Sequence, residues 1–142
     1  MTKLFKIPGV RAVIAAAALL ASSGLALAGD VKVHLTGTEE TPPVTTSASG
    51  TGTFKIAADK SVSGMIKTTG IEGTMAHIHL GAAGENGPVI IKLTQGADGV
   101  WSVPADAKLT DDQYAAFMAG KLYVNVHSAA NKSGEIRGQL KP

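Results

Sequence analysis

The sequence predicts an all-β domain, an antiparallel β-sandwich or barrel with one short helix near 110–119. Three observations predict it. Seven short segments alternate apolar and polar residues, the period of half-buried antiparallel strands. Turns rich in Gly, Asn, Asp and Ser separate them, and residues 29–142 hold 15 of the 17 glycines, about twice the usual frequency. A single stretch carries the start signal, apolar spacing and stop of a helix.

In chain order, residues 1–28 read first as an export signal peptide. Lys3, Lys6 and Arg11 form a positive start, an apolar run follows, and Ala26-Leu27-Ala28 is a small-x-small cleavage pattern, so cleavage is expected between Ala28 and Gly29. The alternative is a retained anchor, since Ala12 to Ala28 is about 17 residues, the short limit for a bilayer span. The serines, the glycine and the cleavage pattern favour removal, which implies a periplasmic or secreted protein with no later membrane span.

What remains, residues 29–142, is 114 residues and suits one domain. The leader holds three of the 13 basic residues and no acidic one, leaving 10 basic against 11 acidic, a net charge of −1. A chain so balanced has no basic excess for nucleic acid or anionic lipid. There is no cysteine, which excludes disulfides, thiolate metal sites and a cysteine nucleophile.

The strands follow in order. "VKVHL" (31–35), "GTFKI" (52–56), "VSGMIKT" (62–68), "MAHIHL" (75–80), "VIIKL" (89–93), "LYVNVH" (122–127) and "EIRGQL" (135–140) each set apolar residues on one parity. "TPPVTTSASG" (41–50) reads as loop or edge, because Pro42 and Pro43 cannot donate to a ladder. "GAAGENGP" (81–88) reads as a long hairpin connection, with no following helix to make it a phosphate cradle. "QGADG" (95–99) reads as a turn, and Trp101 as a core or end-plug residue with Val100 and Val103. In "LTDDQYAAFMAGK" (109–121), Thr110 and Gln113 form a capping box, Asp111 and Asp112 suit the positive helix start, and Gly120 suits a left-handed stop. Tyr114, Phe117 and Met118 share one face, read as a packing stripe.

Two histidines one residue apart raise the functional question. His77 and His79 point the same way along a strand, about 6.5–7 Å apart, and imidazoles at that spacing can lean onto one ion. His127 shares the non-apolar parity with Tyr123 and Asn125, and becomes a third ligand if the two strands are neighbours. His34 also lies opposite the core residues of its strand and is an optional fourth ligand. Histidine-only sites suit copper or zinc. The competing reading is four polar residues on a wet surface. A shared ion requires nitrogens no more than about 4 Å apart. Asn125 and Glu135 are candidates to orient His127, and Arg137 shares a strand face with Glu135, with a surface ion pair as the plainer reading.

Three stretches resemble, in order and spacing, the CHRD domain, which also occurs in bacterial exported proteins. They are "LTGTEETPPVTTSASGTG", "HIHLGAAGENGPVIIKL" and "LTDDQYAAFMAGKLYVNVHSAANKSGEIRGQL", and the resemblance runs from about Val31 to Leu140. It implies an immunoglobulin-like β-sandwich and no settled activity, and it suggests a structural turn around Glu40. A weaker similarity links the H-x-H and V-x-V-H strands to the Greek-key sandwich of Cu/Zn superoxide dismutase, where His77, His79 and His127 match copper ligands. The chain departs from it: there is no bridging histidine, no zinc loop and no disulfide.

The sequence therefore leads to a non-enzymatic module binding copper, less favourably zinc, through surface histidines. The rival is a structural or protein-interaction domain of the envelope or matrix without metal. An enzyme ranks last, because no serine elbow and no paired carboxylates emerge.

Overall fold

The computed structural model describes residues 29–142; the leader read over residues 1–28 lies outside them. Nine strands and one helix follow in order: β1 (Asp30–Thr36), β2 (Ser49–Ile56), β3 (Val62–Thr69), β4 (Gly73–Leu80), β5 (Val89–Lys92), β6 (Thr94–Gln95), β7 (Val100–Ser102), α1 (Asp111–Met118), β8 (Leu122–Ser128) and β9 (Ile136–Leu140). All pairings are antiparallel, in the order β5-β4-β8-β9-β1-β2-β3-β7-β6. The two ends of that order, β5 and β6, are one stretch of chain broken only at Leu93. The sandwich is thereby wrapped almost into a barrel.

The apolar parity of each strand points inward. Val33, Leu35, Phe54, Ile66, Ile78, Val124, Val126, Ile136 and Leu140 are buried together in one core. Trp101 joins them on β7, and Gly73 of β4 meets its ring so closely that a Cβ there would lie 2.9 Å from it. The short β6 and β7 were not legible as strands. Their ladder spans two residue pairs across a turn, Thr94 with Ser102 and Gln95 with Trp101, too little for a period to show.

The helix forms where its signals lie. The Thr110 hydroxyl accepts from the Gln113 backbone and the Gln113 side chain accepts from the Thr110 N–H. Gly120 sits at φ 72°, the left-handed conformation that ends the helix at little cost. Phe117 is buried and Tyr114 packs against the core, but Met118 is 49% exposed. Only two of the three stripe residues therefore pack. Met118 is the last residue of the helix and lies at the margin of the packed face.

β8 departs from simple alternation, because all seven of its residues are buried. One face packs on the core. The other is covered by chain that returns over it: the segment around Glu40, the β4–β5 connection (81–88) and the β8–β9 connection (129–135). Arg137 donates to the Ala82 carbonyl, Gln139 to the Gly81 carbonyl, Asn86 to the Thr41 carbonyl, and Thr46 to Glu135. The outer face of β4–β8–β9 is thus a second, polar interior. This corrects the expectation that His77, His79 and His127 lie on the surface.

Candidate metal centre

β4 and β8 are neighbours, with Met75 opposite His127, His77 opposite Asn125, and His79 opposite Tyr123. The pairing places His77, His79 and His127 side by side. All three are buried, at 7–8% exposure. One nitrogen from each lies within 4.8 Å of the others, and among the described residues no carboxylate joins them. Three nitrogens held at 2.0–2.1 Å by one tetrahedral ion stand about 3.4 Å apart. The set is therefore wider than a coordinated one, and the rings have to draw together to share an ion.

Backbone carbonyls fix the rings. The Nδ1–H of His79 donates to the Gly87 carbonyl at 2.9 Å, and the Nδ1–H of His127 donates to the Lys132 carbonyl at 2.7 Å. A carbonyl can only accept, so each Nδ1 carries the proton and each Nε2 keeps a lone pair. His127 Nε2 accepts from His77 Nδ1 at 3.0 Å. The Nε2 of His79 has no partner at all, and neither has Oδ1 of Asn125, both fully enclosed. The Asn125 amide donates from its other end to Glu40. Two buried lone pairs without a donor are costly unless something positive meets them. A neutral His79 cannot supply it, since its one proton is committed to Gly87. This arrangement fits a bound cation.

The electrostatics favour the neutral form of His77 and His79. Burial pushes His77 down to about 4, helped by His127, His79 and Lys92. Burial also lowers His79, against the opposing effects of the Gly87 carbonyl and the Asn125 amide. The amide acts there by proximity, without a hydrogen bond of proper geometry to the ring. Neutral imidazole is the form that binds metal.

Around the rings, Tyr123 stacks on His79 with centroids 4.7 Å apart and planes 3° apart, and the Arg137 guanidinium lies 3.4 Å above the Tyr123 ring. Tyr123 also accepts from the Gly87 N–H, so it steadies the loop that holds His79.

The other candidate residues fall differently. His34 is exposed on β1 and stands apart from the three-histidine cluster. Glu135 does not reach His127. It accepts from Thr46, Ser128 and Asn131, and although burial raises its pKa these three bonds together hold it low. Asn125 approaches His79 rather than His127. Arg137 is buried, and the only ion pair among the described residues is Lys60 with Asp111. Sequence reasoning missed the Gly87 and Lys132 carbonyls as ring supports, because a backbone carbonyl leaves no residue signature.

The CHRD domain model matches residues 31–140. The chain belongs to the CHRD family. No curated protein and no solved structure matches this CHRD domain. The likeness to Cu/Zn superoxide dismutase therefore rests on the strand motifs alone. Among the described residues no helix is long and apolar enough to cross a membrane.

Glu40 stands in the turn that the family resemblance suggests, where its N–H donates to the Gly37 carbonyl, and its side chain is enclosed at 5% exposure against Asn125. Burial pushes its carboxyl up to about 7, against the Asn125 hydrogen bond and the Arg137 charge. Between the ordinary 4.5 and about 7 the folded chain keeps a proton that the unfolded chain has lost. That stabilising contribution is complete below 4.5 and lost as pH rises through 7. Glu40→Gln keeps the acceptor and removes the titration. Urea unfolding should show the variant equal to the parent near pH 4.5 and more stable at pH 8, by on the order of 3 kcal/mol. Equal stability at both pH values would show that Glu40 ionises freely.

Proposed function

We propose that this CHRD domain is a metal-binding module that holds copper, or with lower preference zinc, through His77, His79 and His127. The observation that carries the reading is the orphaned, enclosed Nε2 of His79 beside His77 and His127, with the tautomers of His79 and His127 set by backbone carbonyls. Such carbonyl partners orient ligand rings and raise their basicity. Imidazole suits both metals, and the general affinity order places Cu²⁺ above Zn²⁺. The leader pattern supports a periplasmic or secreted location, where the module stores, delivers or senses metal. No nucleophile or acid–base pair accompanies the cluster, which supports a non-enzymatic role.

A second reading has its own support. The 3.0 Å bond between His77 and His127 satisfies those two rings without metal, as a structural polar interior of an interaction domain would. Metal analysis after dialysis separates the two readings. The metal reading expects one copper per chain in the parent and none in a His77→Ala/His79→Ala variant that keeps its circular dichroism. Equal uptake by both, or none by the parent, would leave the interaction domain.

A further inference from the structure

We propose that Met75 is the fourth donor of this centre and that the ion it selects is copper(I). The inference rests on the three-histidine reading above and adds an oxidation state and a specificity residue to it.

Placement carries the first part. Met75 stands directly across from His127 and two residues before His77, on the same outer face of β4. Directly opposed residues have Cβ atoms about 4.5–5.5 Å apart, and i, i+2 neighbours lie about 6.5–7 Å apart along the strand. The unbranched methionine side chain reaches either ring from there. The register of β4 shifts between Gly73 and Met75, an irregularity of the kind that re-aims a side chain, and the Thr74 hydroxyl donates to the His127 carbonyl at 3.3 Å beside it.

Exposure carries the second part. The three imidazoles are enclosed, whereas Met75 is 43% exposed and lines an open groove with Lys92 and Trp101. Met75, opposite His127, is thus the most exposed of the four residues and supplies the donor nearest solvent.

Charge selects the oxidation state. Imidazoles and a thioether contribute no negative charge, no carboxylate joins the cluster, and Lys92 lies opposite His77 on β5. The cost of burying an uncompensated ion rises with the square of its charge, so this environment favours a monovalent ion over a divalent one. Thioether sulfur selects copper(I) over zinc on softness as well.

The test is competition for copper(I) against bicinchoninate under ascorbate, with zinc(II) titrated in parallel. The proteins are the parent, Met75→Leu and His77→Ala/His79→Ala. Leucine conserves volume at an exposed position, so the fold is retained. Met75→Leu should weaken copper(I) binding about tenfold or more and change zinc binding by less than about twofold. A copper–sulfur signal in X-ray absorption of the parent should vanish in the same variant. If the parent binds copper through its histidines and Met75→Leu binds it equally well, this inference fails and the three-histidine reading stands. If the parent binds neither ion, both fail.

Discussion

Replacing His127 by alanine is expected to abolish the stabilisation that a saturating metal ion gives the protein. An ion that binds only the folded state adds about 2.7 kcal/mol at a hundredfold excess over Kd and about 4.1 kcal/mol at a thousandfold excess. Urea unfolding of the parent with and without metal should show a shift of that order. The variant should show none. Without metal it should also be weaker than the parent by about 1–3 kcal/mol, because the Lys132 carbonyl and His77 Nδ1 both lose their partner. His34→Ala is the control. It removes an exposed imidazole apart from the cluster and should leave both quantities unchanged. A metal-induced shift that survives in His127→Ala would move the centre elsewhere.

Arg137→Ala should be the most damaging substitution in the polar interior, at about 3–5 kcal/mol in denaturant unfolding. The side chain is 1% exposed and stands in no ion pair. Its charge is met by the Tyr123 ring at 3.4 Å, the Ala82 carbonyl at 2.9 Å and Asn86 Oδ1 at 3.4 Å. Truncation leaves a cavity above Tyr123 and frees the connection that presents Gly87 to His79. Stability and metal affinity should therefore fall together. Arg137→Lys keeps the charge but not the planar stack, and should fall between the parent and alanine. An alanine variant within about 0.5 kcal/mol of the parent, the usual range of a surface change, would show that the residue is solvated.

The fold was legible because it is written locally. Period-two patterning marked the seven longer strands, and Thr110, Gln113 and Gly120 marked the helix ends. The side-by-side placement of His77, His79 and His127 followed from parity once β4 and β8 were paired. Burial of that face was not legible. It depends on distant segments folding back, Glu40 onto Asn125 and Thr46 onto Glu135, and such contacts leave no period. Glu135 and Arg137 therefore read as a surface pair although they serve different parts of a covered interior. One trace existed: "LYVNVH" has no Asp, Glu, Lys or Arg on either parity, as a strand buried on both faces requires.

The continuity of β5 into β6 bears on how this protein meets others. Its two outermost strands are the same short length of chain, four residues in β5 and two in β6, so each offers only a short edge. An incoming polypeptide finds only a short template at those two strands, one of the ways in which sheet proteins limit edge-to-edge pairing. Recognition by another macromolecule has to be written in side chains.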